Sequence, residues 1–337
     1  MANTLTIDGI EIKAGETRTI ALQLPRLYDA TEMVMPVHVF RGKRPGPTLF
    51  VSAAIHGDEI NGVEIVRRLI KLKTVASLRG TLIAIPLVNV YGFLNRSRYL
   101  PDHRDLNRAF PGSEGGSLAA RVAFRFMEQI VSKCTHGIDL HSGSNNRQNL
   151  PQIRCSWQND AALNMAKAFA APLIVHSKLR DSSLREAVNE LNIPILVYEA
   201  GEALRFDESA IRGGVKGVVA VMRHLNMLPP RRQHQLIEPL VSRKTAWVRS
   251  PVSGLLTKSC KLGAIVEKDA TLGYIEDPMN DKRQPVKASH AGVVMGIQNL
   301  PLVYQGDALF HIATVAGDEE DQADSLEAFQ ELVEDYI

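Results

Sequence analysis

Two short polar motifs, each following an apolar run, carry residue types that bind catalytic metal ions. The motifs are His56-Gly57-Asp58-Glu59 and Asp139-Leu140-His141. Two imidazoles and a carboxylate are a standard ligand set for catalytic zinc, which keeps a fourth position for water. His56 and Glu59 flank a strand-to-helix turn and can reach one point, and a neighbouring strand end can supply the third ligand. Alternatively, either histidine is a hydrogen-bonded turn residue, and Asp58 or Asp139 is a helix cap or a surface acid.

A further acidic residue closes another apolar run. Glu199 follows Leu196–Tyr198, and an unpaired charge at such a position is costly, so its carboxylate is either paired or functional. Beside a metal-activated water it would act as a general base and then pass the proton to a leaving amine. Glu202 is the rival, but it follows the turn at Gly201, where we expect solvent. Glu199 is therefore the preferred base.

A basic segment between these motifs predicts an anion-binding surface. Residues 105–112 read DLNRAFPG, in which Asn107 and Arg108 offer an amide and a guanidinium fork suited to a planar carboxylate. The arginines that precede this stretch are Arg96, Arg98 and Arg104. Each arginine could instead be a solvated loop residue in a structural ion pair. Taken together, they predict local positive charge on a chain whose formal net charge is only +2.

Strands and helices alternate around the motifs. Continuous apolar runs over Thr48–Ile55 and Gly80–Val88 predict strands buried on both faces, and Val63, Val66 and Leu69 recur at helical spacing. Other predicted elements are strands at 4–7, 33–40, 136–140 and 194–199, and helices at 117–133, 161–170 and 215–225. This alternation predicts an α/β fold with a mixed, largely parallel sheet flanked by helices. Sites in such sheets collect at the carboxyl ends of strands, where the motifs fall.

The pattern changes near Pro229-Pro230-Arg231-Arg232. Short apolar runs separated by Gly and Pro follow, without helical periodicity, and predict a small all-β domain. We divide the chain into a catalytic domain with N-terminal strands (1–240), a β-rich, barrel-like domain (241–316) and an acidic tail (317–337). The apolar residues Leu326, Phe329, Leu332 and Val333 could form one amphipathic helix in that tail.

Composition narrows the class of protein. The 337 residues are 45% hydrophobic, and 39 basic residues against 37 acidic ones give no sign of a nucleic-acid or anionic-membrane partner. No apolar run approaches the roughly 20 residues of a membrane-spanning helix, and the N-terminus lacks the apolar core of a signal peptide. Three scattered cysteines exclude a disulfide framework. We expect a cytoplasmic protein with a small-molecule carboxylate partner, its oligomeric state left open.

Four motifs occur in the order HGDE, an arginine ahead of DLNRAFPG, DLH and EAG. This set resembles the succinylglutamate desuccinylase/aspartoacylase family, a branch of the zinc carboxypeptidase-like hydrolases, over roughly residues 45–225. The resemblance implies that family's mixed α/β sheet with a β-rich C-terminal domain. It also implies His56, Glu59 and His141 as ligands of one zinc ion per chain, with Glu199 as the catalytic carboxylate.

The resemblance assigns substrate contacts as well. Asn107 and Arg108 would hold the substrate carboxylate, and Arg98 would polarise the scissile carbonyl, with Arg96 and Arg104 as competitors. The implied activity is a zinc-dependent deacylase that cleaves the amide bond of a small N-acyl amino acid. Two alternatives stay open, which are a zinc carboxypeptidase acting on peptides and a non-enzymatic carrier or interaction protein.

The C-terminal segment carries a second resemblance. Residues 250–254 (SPVSG) and 288–292 (ASHAG) resemble the two halves of a biotinyl- or lipoyl-like barrel. Carrier domains of that type hold a modified lysine on a hairpin between the halves, but Lys282 lacks the usual Met-Lys-Met setting and is expected to be an ordinary lysine. We expect this domain to wall the active-site channel, from which Tyr274 or Tyr304 could reach the substrate.

Overall fold

The computed structural model describes residues 4–230, 238–316 and 319–334. The strands up to residue 230 are β1 (Leu5–Ile7), β2 (Ile10–Ile12), β3 (Thr17–Leu24), β4 (Met33–Arg41), β5 (Thr48–Ala53), β6 (Thr81–Ile85), β7 (His136–Gly143), β8 (Arg147–Cys155), β9 (Leu173–His176) and β10 (Ile195–Glu202). The later strands are β11 (Leu240–Arg249), β12 (Gly254–Lys258), β13 (Ile265–Val266), β14 (Thr271–Glu276), β15 (Arg283–Lys287), β16 (Gly292–Gln298), β17 (Leu302–Val303) and β18 (Ala308–Val315).

The helices are α1 (Ile60–Leu69), α2 (Val90–Leu94), α3 (Leu118–Gln129), α4 (Asp160–Phe169), α5 (Leu184–Glu190), α6 (Glu208–His224) and α7 (Glu319–Glu334). Short 3-10 helices span Lys73–Ser77, Leu106–Arg108 and Val131–Lys133. Every strand and helix that the sequence predicts around the motifs is present, most with bounds shifted by a few residues, whereas α6 begins seven residues before the predicted start at residue 215. No helix among the described residues combines the length and the apolar character needed to cross a bilayer.

Twelve of the described strands form one mixed sheet in the order β13-β16-β18-β11-β9-β8-β10-β7-β5-β6-β4-β3. The four strands β10, β7, β5 and β6 are mutually parallel. The mixed α/β fold is therefore confirmed, but the sheet is less parallel than the sequence predicts. β8 is antiparallel to β10, the N-terminal strands β4 and β3 are antiparallel to their neighbours, and the C-terminal strands add further antiparallel pairs.

The central strands are buried on both faces, as their continuous apolar sequences predict. Along β5, Leu49 and Val51 pack into the apolar cluster that contains α1, α4 and α6, whereas Phe50 points to the other face. Phe50 contacts Phe126 of α3 there, with ring centroids 6.0 Å apart. Because successive strand residues point to opposite faces, one apolar run supports a helix layer on each side. This rigid core holds the strand ends in place.

The β-rich C-terminal segment is joined to the central sheet. β11 pairs in parallel with β9, Leu240 opposite Leu173, and β16 pairs with β8, Gly296 opposite Asn149. The strands β15, β14, β12 and β17 form a separate sheet, and the segment has its own apolar cluster. An all-β segment is therefore observed, whereas its separation as a domain at residue 240 stays a prediction. Arg231 and Arg232 of the predicted boundary lie outside the described residues.

The acidic tail contains the helix that its apolar spacing predicts. In α7, Phe329 is buried and packs against α6 at Gly213, where an added Cβ would lie 2.6 Å from the phenyl ring. Leu326 is partly buried against a small cluster that includes β9 and β16. The side chains of Leu332 and Val333 lie outside what the structure describes. The tail therefore packs on the core through its apolar face.

Candidate active site

The first motif forms a tight turn between β5 and α1. Gly57 is required there, because a Cβ at this position would lie 2.0 Å from the carbonyl carbon of Gly92. The turn places His56 after the carboxyl end of β5 and Glu59 immediately before α1. On β7, His141 lies opposite Glu199 of the parallel strand β10. All four side chains therefore meet at the same edge of the sheet.

Three of these side chains form one buried cluster. The Nδ1 atom of His56 lies 2.7 Å from Glu59 Oε1, and the Nδ1 atom of His141 lies 2.8 Å from Glu59 Oε2. One candidate ligand atom from each residue lies within 4.8 Å of the others. Each residue is at most 5% exposed. Two imidazole nitrogens and a carboxylate oxygen at this spacing fit a zinc ion, which prefers nitrogen and carboxylate donors.

A second pair of carboxylates holds the far side of each imidazole. Asp105 Oδ1 lies 3.1 Å from His56 Nε2, and Asp139 Oδ2 lies 2.7 Å from His141 Nε2. Asp139 also accepts a hydrogen bond from Ser52 Oγ at 2.8 Å. A carboxylate at Nε2 favours the tautomer in which Nδ1 has a free lone pair for a metal. Asp139 is 1% exposed, so its reading as a cap or a surface acid is wrong.

The charges in this cluster stabilise one another. Burial alone would lower the pKa of each histidine, but Glu59, together with Asp139 at His141 and Asp105 at His56, raises the pKa of both. Burial would likewise raise the pKa of Glu59, and the two imidazoles outweigh it and hold that pKa well below the ordinary value. The carboxylate of Glu59 is therefore ionised, as a metal ligand requires.

Arg98 is the candidate arginine that lies in the site. Its Nη2 atom donates to Asp105 Oδ2 at 2.9 Å, and its Nη1 atom lies 3.4 Å from Glu59 Oε1. Arg104 is instead 3.8 Å from Asp102, with 64% of its side chain exposed, and Arg96 is exposed too. Of the three arginines that compete for a catalytic role, only Arg98 is among the described residues that line the central cavity.

The cluster opens into a cavity of about 460 Å³. Asn107, Arg108 and Glu199 also line this cavity. Asn107 lies in the 3-10 helix at 106–108, and its Oδ1 atom accepts from Leu184 N at 2.9 Å, so its amide NH₂ group stays available. Glu199 accepts from Asn149 Nδ2 at 3.0 Å. All seven predicted site residues therefore face one cavity.

Glu202, the rival of Glu199, is engaged elsewhere. Its carboxylate accepts a hydrogen bond from Asn299 Nδ2 at 2.9 Å and lies 3.7 Å from Arg205. Tyr274 and Tyr304 are not among the described residues that line the cavity. Tyr274 instead packs under the guanidinium of Arg283, and Tyr304 is largely exposed. The expectation that one of these tyrosines reaches the substrate is therefore not supported.

A large part of the cavity wall consists of residues that no motif in the sequence indicates. These residues include Arg147, Asn149, Arg154, Arg180, Arg185, Trp247, Arg249 and His311. Several come from β8, which was not predicted, because its sequence RQNLPQIRC is largely polar and contains a proline. Trp247 and His311 face each other across β11 and β18 with their rings stacked 4.4 Å apart. Together with Arg249, Asp307 and Ala308, these two residues of the C-terminal segment form part of the cavity wall, as predicted.

The fold and the site together define a class: an α/β protein with a buried His–Glu–His cluster at the carboxyl ends of parallel strands. A comparison with known protein families agrees with this class. The catalytic-domain profile of the succinylglutamate desuccinylase/aspartoacylase family matches residues 45–225. The chain therefore belongs to that family.

Individual relatives agree with this assignment. The chain is 27% identical over 313 residues to the N-alpha-acetyl-L-2,4-diaminobutyric acid deacetylase of Halomonas elongata, covering 87% of this chain and 90% of that one. The product-bound ectoine utilization protein EutE of Ruegeria pomeroyi superposes with a TM-score of 0.81 at 25% identity, over 88% and 95% of the chains. A succinylglutamate desuccinylase of Silicibacter sp. TM1040 shares the fold, with a TM-score of 0.81 at 23% identity over 89% and 95%.

Proposed function

We propose that the protein is a zinc-dependent deacylase that hydrolyses the amide bond of small N-acyl amino acids. The observation that carries this proposal is the convergence on one cavity of a buried metal-ligand set, a carboxylate and an amide–guanidinium pair. Membership of the family supports an acyl-cleaving enzyme, and the diaminobutyrate deacetylase relative supports an N-acyl amino acid as the substrate.

In this proposal His56, Glu59 and His141 hold one zinc ion per chain. When bound, zinc supplies Lewis-acid polarisation of a carbonyl and lowers the pKa of water. The protein's own part is to keep both Nδ1 atoms directed at Glu59 through the carboxylates of Asp105 and Asp139. Such outer carboxylates fix ring orientation and raise ligand basicity.

Glu199 acts as the general base. Its position opposite His141 in the parallel pair brings its carboxylate to the edge of the sheet where the metal ligands meet. Asn149 donates to one carboxylate oxygen at 3.0 Å, and Arg154 lies 3.7 Å from the other. These contacts hold the carboxylate in place, where it accepts a proton from the attacking water and delivers it to the leaving amine.

Arg98 binds the carbonyl oxygen of the substrate's amide, and the pair Asn107–Arg108 binds the substrate's α-carboxylate. Arg98 is anchored by Asp105 beside the cluster and stabilises negative charge that develops on the carbonyl oxygen. Asn107 presents its amide NH₂, and Arg108 presents an exposed guanidinium, so together they hold the substrate's α-carboxylate. This clamp orients the amide for attack.

The two other functions from the sequence receive less support. A peptide-cleaving carboxypeptidase needs a wider cleft, and here the stacked Trp247–His311 pair on the C-terminal strands forms one side of a cavity of about 460 Å³. A carrier protein would use Lys282, which lies exposed on the β14–β15 hairpin, but the chain's family is named for its catalytic domain. Intact-mass measurement that finds a covalent group on Lys282 would favour the carrier.

A panel of N-acyl amino acids, assayed with and without added zinc after chelator treatment, tests the proposal. We expect hydrolysis of at least one N-acetyl or N-succinyl amino acid, lost after chelation and restored by zinc. C-terminal release from short peptides is measured alongside. Peptide cleavage without N-acyl amino acid cleavage would favour the carboxypeptidase, and hydrolysis that is insensitive to chelation would overturn the metal assignment.

A further inference from the structure

The strand that carries the proposed base is irregular at the base itself. Along β10, the pairing with β7 is continuous from Ile195 to Glu199 and shifts its register before Glu202. The pairing of β10 with β8 shifts at the same place, between Glu199 and Gly201. A register shift of this kind redirects side chains and interrupts the ladder of hydrogen bonds between strands. The backbone alone therefore does not fix the direction of the Glu199 carboxylate.

Asn149 of β8 supplies the missing constraint. Its Nδ2 atom donates to Glu199 Oε2 at 3.0 Å, and within the described part of the chain no other side chain hydrogen-bonds this carboxylate. Arg154 lies 3.7 Å from the other carboxylate oxygen, which is beyond hydrogen-bond distance. Asn149 is 7% exposed, so its amide is largely shielded from water. The direction of Glu199 therefore depends on where the Asn149 amide is held.

The part of β8 that contains Asn149 pairs with a strand of the C-terminal segment. β8 changes partner along its length, since residues 147–149 pair with β16 and residues 152–155 pair with β9. On its other edge, Asn149 pairs with Gly201 of β10. Asn149 thus lies between the strand that carries the base and a strand of the C-terminal segment.

Gly296 of β16 is the residue directly opposite Asn149. A Cβ at Gly296 would lie 3.2 Å from Asn149 Oδ1 and 3.2 Å from the Cβ of His311, closer than ordinary van der Waals contact. A glycine inside a strand often marks such a close approach. Gly296 also pairs with His311 of β18, which in turn pairs with Trp247 of β11. One row of paired residues therefore runs from the aromatic pair through Gly296 to Asn149, and the Asn149 amide continues it to the base.

The pairing of β16 with β8 also closes a ring of strands. The order β16-β18-β11-β9-β8 returns to β16 through this pairing. Strands in a closed sheet have neighbours on both sides, so their positions are set from both edges. A displacement of β16 is therefore transmitted to Asn149.

We propose that the C-terminal segment positions the catalytic base. In this inference, which rests on the proposed deacylase function, β16 fixes the amide of Asn149 through Gly296, and Asn149 fixes the carboxylate of Glu199. Gly296 and Asn149 are thus positioning residues, and neither has to contact the substrate in this role. The C-terminal segment then contributes to proton transfer as well as to the cavity wall, because it holds the group that accepts the proton.

Steady-state kinetics of the zinc-loaded full-length protein on N-acyl amino acids test the proposal. Asn149→Ala removes the amide, so we expect kcat to fall about 10- to 100-fold, the range that a misplaced reacting group can cover. KM should change less than about threefold, because the metal ligands and the α-carboxylate clamp are untouched. Gly296→Ala should lower kcat about 3- to 10-fold, because its methyl group displaces the Asn149 side chain by a fraction of an ångström.

Double variants separate positioning from a general structural effect. In the Glu199→Gln background, Asn149→Ala should cause no further loss of kcat, because the amide acts only through the base. Likewise, Gly296→Ala should cause no further loss in the Asn149→Ala background. Losses of equal size with and without the Glu199 or Asn149 side chain would overturn the proposal.

The matched control is Gln148→Ala, which removes the neighbouring amide of the same strand. The Gln148 side chain lies 3.4 Å from Asp207 rather than at the base, and its backbone pairs with Ile297 of β16. This variant should keep the wild-type kcat. Thermal unfolding and zinc content are measured for every variant, and Gly296→Ala decides the question if Asn149→Ala unfolds. Unchanged kcat in the folded variants, or an equal loss in the control, would contradict the positioning role.

Crystal structures of the wild type and the two single variants separate this proposal from the deacylase function. We expect the Glu199 carboxylate to move by more than about 0.5 Å, the tolerance of a productive catalytic geometry. That displacement without wild-type turnover of any N-acyl amino acid would leave the positioning standing and remove the proposed activity. Wild-type turnover with an unmoved Glu199 carboxylate in both variants would keep the activity and remove the positioning.

Discussion

The two sides of the cavity differ in whether their charged side chains have partners of opposite charge. At the histidine side, formed by His56, Glu59 and His141 with their outer carboxylates, every buried imidazole nitrogen has an acidic partner within 3.1 Å. The other side, which we call the arginine wall, is formed by Arg108, Arg154, Arg180 and Arg185, and among the described residues only Arg154 has a carboxylate within 4 Å. The difference shows that the protein itself supplies the charge partners on the histidine side, whereas on the other side most guanidinium groups have no carboxylate within 4 Å among the described residues.

Charge pairing holds the side chains of the histidine side in the arrangement that the proposed metal ion requires. Replacing one partner there leaves a buried charge uncompensated, which costs several kcal/mol in comparable pairs, about 3–5. The arginine wall is different, since among the described residues only Arg154 has a carboxylate within 4 Å, Glu199 at 3.7 Å. Removal of a guanidinium from the wall should therefore change substrate selection rather than metal content.

The largest effect should come from the histidine side. His56→Ala or His141→Ala removes one of the three proposed metal ligands, so we expect the bound zinc and the activity to fall together to background. Zinc per chain is measured by mass spectrometry beside turnover. The control is His136→Ala, at the opposite end of β7 from His141, which should keep its metal. Stoichiometric zinc in both ligand variants would contradict the assignment.

Glu199 lies between the two sides and should separate metal binding from chemistry. Glu199→Gln keeps the shape of the side chain but cannot accept the proton, so we expect kcat to fall by about 10²- to 10⁴-fold with zinc retained. The control is Glu202→Gln, whose carboxylate is engaged by Asn299, and it should retain most activity. Near-wild-type turnover of the Glu199 variant would exclude it from the mechanism.

The smallest effect should come from the clamp at the edge of the arginine wall. Arg108→Ala removes a guanidinium from the α-carboxylate, so we expect KM for an N-acyl amino acid to rise about 10- to 100-fold. For the corresponding C-terminal amide, which has no carboxylate, the change should be much smaller. Arg104→Ala, a surface position paired with Asp102, serves as the control. An equal rise for both substrates would mean that Arg108 binds no anion.

The prediction of the metal-ligand set depended on local geometry. His56 and Glu59 are close in sequence and flank one turn, and parallel strands carry His141 to the same edge, so their convergence follows from strand order alone. Glu199 was predictable for the same reason, since β10 is the parallel neighbour of β7. Apolar runs on these strands were long enough to identify them.

Other residues of the cavity could not be identified from their local sequence. Asn149 and Arg154 lie on β8, whose Pro151 falls between the stretch that pairs with β16 and the stretch that pairs with β9. Proline is rare inside sheets, so the pattern argued against a strand there. Arg185 lies in a short helix, and nothing in its local sequence distinguishes it from a surface arginine.

By itself, the sequence determined the family motifs, the α/β alternation and the residues that follow buried strands, because hydrophobic periodicity and turn chemistry are local properties of the chain. Only the tertiary structure decided which arginines are buried, which carboxylates hold the imidazoles and which strands complete the cavity. Those properties depend on long-range strand pairing, such as the pairing of β8 with β16 and of β11 with β18. The electrostatic environment of a side chain is set by neighbours that are distant in sequence, so the burial of Arg185 near Arg154 and Arg180 emerges only in the folded protein.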